Sequence, residues 1–436
     1  MSIELLSIFF FGALFVFIFS GLPLVFALGG VSVGFIYLTW GQPALYLIAS
    51  QTWGTLNNFI LVALPLFIFM AMILERTGVA NDLYEMMYHW FGNLRGGLAI
   101  GTVVICAIFA AMCGISGAAV VTMGTVALPS MLKRGYDKYL AVGCINSGGG
   151  WGILIPPSVM MIVYCLVAEE SVGRLFAAGV FPGLTLLLLV STYIGVRCYV
   201  QKDLAPAIPP EERGGWIKKL QVTKAVLLPM LVVVMVLGSI MGGITTITEA
   251  AAMGVLGAIV SGVIYRQLSW ALFKEASVRT LRLTGMILWI IFASQCFNSA
   301  YQGMGAATLI THLVEYLPGG PWGAIIFFQF IIFLLAMVMA PGGIILITVP
   351  IFLPIVKAMG FDPIWFGILY MINLEIGYMT PPFGMNLFYL KAIVPSSISM
   401  VDIYRSVVPF TFAELTGLAL VMIFPEIALW LPNKIF

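Results

Sequence analysis

The chain has 436 residues, of which 61% are hydrophobic and only 9% are charged, and its mean hydropathy is +1.09. This composition excludes a soluble globular domain and indicates a polytopic membrane protein, because one bilayer crossing needs about 20 apolar residues. The net charge of +2 indicates no class of partner. We expect the chain to be surrounded by the lipid bilayer and to bind no nucleic acid. Hydrophobic segments leave no room for a soluble catalytic domain, so we do not expect an enzyme.

The first half of the chain alternates apolar spans with interrupted segments. The segment from 96 to 132 is interrupted at 114–117, and its two arms of about 16 residues are each short for a full crossing, which favours a re-entrant hairpin. The predicted order is spans near 3–20, 23–40 and 57–75, an amphipathic stretch 81–93, the hairpin 96–132, a broken span 139–166 and a span 175–198.

The second half repeats this order after a polar, proline-containing linker at 201–224. The predicted segments are spans near 225–241, 248–265 and 283–300, an amphipathic stretch 305–317, a hairpin 322–355 interrupted at Pro341-Gly342-Gly343, a broken span 364–390 and a span 406–431.

Two stretches, 128–157 and 353–382, superpose without a gap at an offset of 225 positions. Most of the identities are residues that set backbone shape, so their shared spacing predicts two copies of one structural unit. Each half contains an odd number of full crossings, which predicts opposite orientations for the two copies. The identical pairs are Leu128/Leu353, Pro129/Pro354, Gly135/Gly360, Asp137/Asp362, Gly152/Gly377, Pro156/Pro381 and Pro157/Pro382.

Each copy ends in a double proline within a hydrophobic run. Proline lacks a backbone donor and clashes with the preceding turn, so Pro156-Pro157 and Pro381-Pro382 must interrupt their helices. Irregular backbone at membrane depth is tolerated only where protein buries it or where it lines a wet cavity. We therefore place breaks at 146–157 and 377–382 and predict an ion or substrate site there.

These features predict an all-α polytopic membrane protein of two inverted-topology repeats, each with a re-entrant helical hairpin and a broken transmembrane helix. The predicted division is scaffold spans 1–78, an amphipathic arm 79–95, a transport unit 96–200, a cytoplasmic linker 201–224, scaffold spans 225–304, an amphipathic arm 305–318 and a second transport unit 319–436.

Basic residues predict the orientation, because lysine and arginine favour the cytoplasmic side. With the N-terminus outside, all 20 basic residues except Arg174, Lys357 and Lys434 fall at cytoplasmic ends or loops. We therefore predict that both termini are periplasmic.

Small polar residues lie beside the interruptions. Helix N-termini within the membrane suit a carboxylate, and free carbonyls at helix C-termini suit sodium. Ser116, Asn146, Ser147, Thr380 and Asn386 could complete a cation shell or hold an oxyanion, although membrane Ser and Thr usually bond their own backbone. For any single glycine cluster the alternative is close helix packing.

Three acidic residues, Glu249, Glu375 and Glu414, lie in apolar surroundings, where a charge is costly unless it is paired or hydrated. Glu375 is the main candidate for a functional role because it lies three residues before the second predicted turn. A structural role in bracing the broken helix is equally compatible with this position.

Several motifs together resemble the large membrane subunit of TRAP transporters, the tripartite ATP-independent periplasmic family. They are GILIPPSVMMIVY (152–164), TPPFGMNLF (380–388), LPSMLKRGYDK (128–138), the pair Ser116-Gly117 and TEAAAMG (248–254). The resemblance extends over essentially the whole chain. It implies an elevator-type importer in the bacterial inner membrane, driven by sodium ions and selective for an organic acid such as a carboxylate, a sulfonate or sialic acid.

The resemblance also implies partners and site residues. The partners are a small four-helix membrane subunit and a periplasmic substrate-binding protein that delivers the organic anion. Sodium sites are implied at Ser116, Gly117, Asn146, Ser147 and Gly149, and at Gly342, Gly343, Gly377, Thr380 and Pro381. Substrate contacts are implied at Ser116, Gly150, Pro156, Ser158, Thr380, Pro382 and Asn386. No cofactor is expected beyond the coupling ions.

One feature departs from this symmetry. Pro341 stands where the first hairpin has Ser116, so the second sodium site must rely more on carbonyls.

A channel is the alternative function, because re-entrant loops also build ion filters. A channel predicts flux that does not saturate and needs no binding protein.

Overall fold

The computed structural model describes residues 3–114, 116–212, 215–305 and 318–436. Within these ranges all regular secondary structure is helical. Numbered in chain order over these residues, the α-helices are α1 (Ile3–Phe19), α2 (Leu24–Trp40), α3 (Tyr46–Leu56), α4 (Ile60–Arg76), α5 (Val79–Phe91), α6 (Gly97–Cys113), α7 (Ser116–Lys133), α8 (Lys138–Gly150), α9 (Val159–Ala168), α10 (Val172–Val200), α11 (Trp216–Met241), α12 (Ile247–Ile264), α13 (Trp270–Gly303), α14 (Gly320–Ala336), α15 (Pro341–Ala358), α16 (Pro363–Met379), α17 (Met385–Lys391), α18 (Met400–Ile423) and α19 (Glu426–Ile435).

Several of these helices have the length and composition of membrane spans. In the described part of the chain, five helices qualify individually: α10, α12, α13, α15 and α18. The number rises to seven when two bent helix pairs are each counted as one span, namely 42–56 with α4, bent by 59°, and the two parts of α11, bent by 53°. The shorter apolar helices include α1, α2, α6, α9 and α14. The chain is therefore a multi-pass membrane protein.

The duplicated sequence forms the same turn in both halves. α7 and α15 are each followed by a left-handed glycine, Gly135 with φ 76° and Gly360 with φ 82°. This conformation is readily available only to glycine. The amides of the next residues, Tyr136 and Phe361, bond back to the last helical turn over 3.1 Å and 3.2 Å. An aspartate then begins the following helix, α8 or α16.

Corresponding helices make corresponding contacts in the two halves. α6 packs on α8 as α14 packs on α16, and α18 packs on α8 as α10 packs on α16. The second arm of each hairpin contacts the broken span of the other half: α7 contacts α17, and α15 contacts α9. A duplicated unit leads to such paired contacts, while the inversion of one copy across the membrane stays a prediction.

Some helix boundaries differ from the predicted ones. α11 begins at Trp216, inside the predicted linker, and α13 begins at Trp270 and not near 283. Both extensions are polar, and lysine, arginine and glutamate continue a helix as readily as apolar residues do. The first predicted arm corresponds to α5, which packs on α6 and α11. The second predicted arm, 305–317, lies outside the described residues except for Gly305.

Helices of the predicted scaffold pack together: α4 contacts α12 and α13, α2 contacts α13, and α11 contacts α12. They also touch the predicted transport units, for example where α13 contacts α15 and α4 contacts α6. The division of the chain into moving and fixed parts stays a prediction.

Candidate functional site

The first broken span consists of α8 and α9, and its break is shorter than predicted. α8 continues as a helix to Gly150. A 3₁₀ turn, Trp151–Ile153, then leads into irregular residues 154–158, which contain a cis peptide bond between Pro156 and Pro157. The predicted start of the break at Asn146 was therefore wrong, because the double proline and not the glycine run ends the regular structure.

Close packing accounts for the helical glycines of α8. A Cβ added at Gly149 would lie 2.9 Å from the Val120 Cα on α7, and one at Gly148 would lie 2.8 Å from the Cys106 Cβ on α6. α8 therefore approaches both arms of the first hairpin at distances that only glycine allows. These glycines serve the close helix packing that was the alternative interpretation of such clusters.

The second broken span consists of α16 and α17. α16 continues through Gly377 to Met379, and irregular backbone occupies 380–384, with a cis peptide bond between Pro381 and Pro382. The predicted start of this break at Gly377 was also too early. Gly377 lies against the end of α14, where an added Cβ would overlap the Ala336 side chain.

The tip of the first hairpin bonds to the first break. The Val159 amide donates to the Gly114 carbonyl over 3.4 Å, and a Cβ on Gly114 would lie 2.6 Å from the Pro157 carbonyl oxygen. Ser158 caps α9, and its Oγ donates to the Ile153 carbonyl over 2.6 Å. The predicted substrate residues Pro156 and Ser158 therefore lie in the segment that meets the hairpin tip.

The start of α7 meets the other half of the protein. Ser116 is buried, with 5% of its surface exposed, and a Cβ on Gly117 would lie 2.7 Å from the Tyr389 ring on α17. The residue between Gly114 and Ser116 lies outside the described ranges. The predicted sodium ligands Ser116 and Gly117 therefore adjoin the second broken span as well as the first.

The tip of the second hairpin has corresponding contacts. A Cβ on Gly342 would lie 3.9 Å from the Met160 Sδ on α9, whereas one on Gly343 would overlap the Leu24 side chain of α2. Gly377, from the same predicted sodium site, contacts α14. Gly342, Gly343 and Gly377 thus contact three different helices: α9, α2 and α14.

Thr380 begins the second break. Its Oγ1 donates to the Ile376 carbonyl over 2.6 Å, the bond within one helix that Ser and Thr hydroxyls usually make in membrane proteins. The lone pairs of this oxygen are still able to accept or to coordinate. Pro382 follows, and its carbonyl accepts a hydrogen bond from the Tyr404 hydroxyl over 2.8 Å.

Fully buried polar side chains surround the end of α8. The Ser147 Oγ donates to the Glu414 Oε1 over 2.5 Å, and the Trp151 Nε1 donates to the same oxygen over 3.3 Å. The structure therefore brings the predicted residue Ser147 to a carboxyl group on α18. The sequence marked Glu414 only as an acidic residue in an apolar span, and that cost of burial was the available signal.

Gly150 separates two further buried groups. A Cβ at this position would lie 3.3 Å from both the Glu375 Oε1 and the Asn386 Nδ2. Asn146 lies one helical turn before Gly150 and is also fully buried. Three predicted positions, Gly150, Glu375 and Asn386, are thus brought together by α8, α16 and α17, and Asn146 precedes them on α8.

The third acidic residue has a structural explanation. Glu249 closes a capping box with Thr246 at the start of α12, and its Oε2 accepts the Thr246 amide over 2.7 Å. Such a box satisfies free donors at the helix N-terminus. Glu249 is therefore a capping residue.

Comparison with known proteins places the chain in a family. Residues 11–427 match the family described as "Tripartite ATP-independent periplasmic transporter, DctM component". The chain belongs to this family. The resemblance inferred from the motifs is thereby confirmed, and the chain is a membrane permease component.

Curated relatives carry the same description. The C4-dicarboxylate TRAP transporter large permease protein DctM of Pseudomonas aeruginosa is 34% identical over 93% of each chain. The ectoine TRAP transporter large permease protein TeaC of Halomonas elongata is 31% identical, over 95% of this chain and 96% of that one. The sialic acid TRAP transporter large permease protein SiaM of Vibrio cholerae is 28% identical over the same shares. Substrates therefore vary among DctM components.

A solved structure shares the fold. The YdaH transporter of Alcanivorax borkumensis superposes with a TM-score of 0.66, covering 97% of this chain and 98% of that chain, at 11% sequence identity. At this identity the likeness concerns the fold alone.

Proposed function

We propose that this DctM component imports a small organic acid by coupling its movement to sodium ions in an elevator mechanism. Membership in the family supports the transport function. The observation that carries the mechanism is the bond between the Gly114 carbonyl and the Val159 amide, which joins a hairpin tip to a broken span. Interrupted helices that meet in this way are the structural elements from which secondary transporters build ion and substrate sites.

Sodium is proposed at two sites, one for each hairpin tip. The first uses the Ser116 hydroxyl, the backbone near Gly117 and the carbonyls at the end of α8, where Ser147 and Gly149 lie. The last four carbonyls of a helix have no partner of the regular helical kind, so these carbonyls are available as ligands. The second uses the Thr380 oxygen and carbonyls of the irregular residues 380–384.

The substrate is proposed to be a small organic acid. Relatives are named for C4-dicarboxylates, ectoine, isethionate and sialic acid. α9 and α17 begin directly after the two breaks, and Ser158 caps the N-terminus of α9. The partial positive charge at the N-terminus of α9 favours an anion, so a substrate carboxylate or sulfonate is proposed to bind there.

Two protein partners are proposed, a small four-helix membrane subunit and a periplasmic binding protein. The family description names one component of a tripartite transporter. A further relative, the isethionate TRAP transporter permease protein DctMQ of Oleidesulfovibrio alaskensis, is matched over 96% of this chain but only 65% of its own length. The additional length of that protein is consistent with a second membrane component.

Reconstitution tests this proposal. The chain is incorporated into liposomes alone, with its small subunit, and with both partners, and uptake of a panel of labelled organic acids is measured with and without an inward sodium gradient. We expect saturable uptake that requires sodium and both partners. Saturable, sodium-independent uptake would contradict the coupling, and non-saturating flux by the chain alone would favour the channel.

A further inference from the structure

Four fully buried side chains beside the end of α8 have polar atoms without hydrogen-bond partners. The oxygens concerned are both carboxyl oxygens of Glu375, the Oε2 of Glu414, and the Oδ1 atoms of Asn146 and Asn386. The amide nitrogens of both asparagines are also unpartnered. A buried polar group without a partner is destabilising, and an unpaired buried charge is more so. A ligand that satisfied the oxygens together would remove that part of the cost.

The four groups lie on or against the last turns of α8. Glu375 Oε1 and Asn386 Nδ2 flank the space in front of Gly150, each 3.3 Å from where a Cβ would stand. Asn146 lies on the same face of α8, one turn earlier. Glu414 is held by the hydroxyl of Ser147, which lies three residues before Gly150 on α8.

The two carboxyl groups differ in how their charge is balanced. Glu414 accepts hydrogen bonds from Ser147 and Trp151, whereas Glu375 has no donor among the described residues. The basic residues on nearby helices are engaged elsewhere: Lys138 with Asp402 at 2.8 Å, Lys391 with the Ile398 carbonyl at 2.7 Å, and Arg197 with the Tyr193 hydroxyl. Without a donor or a cation, a buried carboxyl group holds a proton, so the charged form of Glu375 needs a positive charge from outside the protein.

We propose that Glu375, Glu414, Asn146 and Asn386 bind a dehydrated sodium ion, at a site separate from the two hairpin tips. Hard cations take oxygen ligands, and these side chains offer five oxygens without partners. A single positive charge matches the one carboxylate that lacks donors. Gly150 is required because a methyl group there would occupy the space between Glu375 and Asn386. The inference takes from the proposed function only the choice of sodium as the ion.

The test measures stabilisation of the full chain by sodium. A ligand that binds the folded state raises its stability with ligand concentration, so the unfolding temperature reports occupancy without any transport assay. Purified protein in lipid nanodiscs is titrated with sodium chloride, and choline chloride keeps the ionic strength constant. The variants are Glu375→Gln and Gly150→Ala. The controls are the exposed Glu426→Gln and Gly195→Ala, where an added Cβ meets nothing within 4 Å.

We expect Glu375→Gln to raise the sodium concentration for half-maximal stabilisation at least about tenfold, because it removes a charged ligand. Gly150→Ala should also raise the sodium concentration for half-maximal stabilisation, although it changes no charge. The test therefore does not depend on whether Glu375→Gln folds normally. Both controls should follow the wild type. An unchanged sodium response in both site variants would overturn the proposal, as would a wild-type stabilisation that responded to pH but not to sodium.

A second background separates this site from the hairpin tips. In the double variant Ser116→Ala/Thr380→Ala, a sodium-dependent stabilisation should persist and should be lost when Glu375→Gln is added. If the double variant alone abolished the whole response, the separate site would be refuted while sodium at the hairpin tips would stand. If the double variant left the sodium dependence of uptake unchanged, the hairpin sites would fail and the Glu375 site would stand.

Discussion

Asp137 and Asp362 make the same contact at the start of α8 and α16, the helices that lead into the two breaks. The Asp137 Oδ1 accepts the Leu140 amide over 3.0 Å, and the Asp362 Oδ1 accepts the amides of Ile364 and Trp365 over 2.7 Å and 3.1 Å. Each carboxylate satisfies backbone donors that a helix N-terminus leaves free. The repeat in sequence thus fixes where both broken spans begin.

Removing either cap should destabilise the protein. We expect Asp137→Ala and Asp362→Ala each to cost about 0.5–2 kcal/mol, whereas Asn at the same positions should cost little because it also caps. Thermal unfolding in detergent measures the effect. A loss with Asn as large as that with Ala would show that the capping bond is not what stabilises these positions.

Much of the fold could be predicted from local sequence. Hydropathy gave the spans, and the double prolines gave the existence of both breaks, because a proline acts on its own helix whatever surrounds it. The repeated Gly-aromatic-Asp turn was predictable for the same reason, since Gly135 and Gly360 need a conformation that other residues avoid.

The rest depended on contacts between distant parts of the chain. The start of the first break was misplaced because Gly148 and Gly149 remain helical when α6 and α7 pack on them. Ser147 and Glu414 are 267 residues apart, so no local pattern could pair them. The polar beginnings of α11 and α13 were missed because hydropathy detects membrane spans and not helices.

The orientation in the membrane can be tested at two equivalent positions. Lys133 and Ala358 occupy the same place in the two copies, at the ends of α7 and α15, and both are exposed. We expect a membrane-impermeant maleimide added outside cells to label Ala358→Cys but not Lys133→Cys, because the copies are predicted to be inverted. The six native cysteines are buried and should give little background. Labelling of both positions from one side would exclude an inverted repeat.

Two glycines of the predicted sodium sites should differ in whether they tolerate an added methyl group. Gly149→Ala would bring Cβ to 2.9 Å from the backbone nitrogen of Val120, so it should cost about 1–3 kcal/mol through overpacking. Gly342→Ala meets only the Met160 Sδ, at 3.9 Å, and keeps its carbonyl, so it should be tolerated. Unfolding temperatures of the two variants decide this, and equal effects would contradict the packing described for α8.

An elevator movement should be stopped by a cross-link between α2 and α15. A Cβ on Gly343 would lie 3.6 Å from the Leu24 Cγ, which is the place that the sulfur of a cysteine at position 24 can take, so a disulfide between the two positions is within reach. We expect oxidised Leu24→Cys/Gly343→Cys to lose uptake and to regain it on reduction. Each single variant is the control for the substitutions themselves. Full uptake with the disulfide quantitatively formed would exclude relative movement of these two helices.

Removing the Ser116 or Thr380 hydroxyl should weaken sodium coupling more than folding. Each oxygen lies at one of the two proposed hairpin sites, and a hydrogen bond or contact with a charged group contributes about 1.5–3 kcal/mol. Ser116→Ala and Thr380→Ala should therefore raise the sodium concentration for half-maximal uptake by about tenfold or more, since 1.4 kcal/mol corresponds to a factor of ten. The measurement is uptake against sodium concentration in liposomes that contain both partners.

Thr411→Ala is the matched control for Thr380→Ala. The Thr411 Oγ1 donates to the Val407 carbonyl over 3.1 Å within α18, as the Thr380 Oγ1 donates to Ile376, but Thr411 lies in regular helix and not in the irregular residues of either break. Loss of the bond within the helix is therefore common to both variants, whereas loss of a sodium ligand is confined to Thr380→Ala. If the Thr411 variant shifted the sodium dependence as much as the Thr380 variant, or if neither Ser116→Ala nor Thr380→Ala shifted it, the hydroxyls would not be ligands at the hairpin sites.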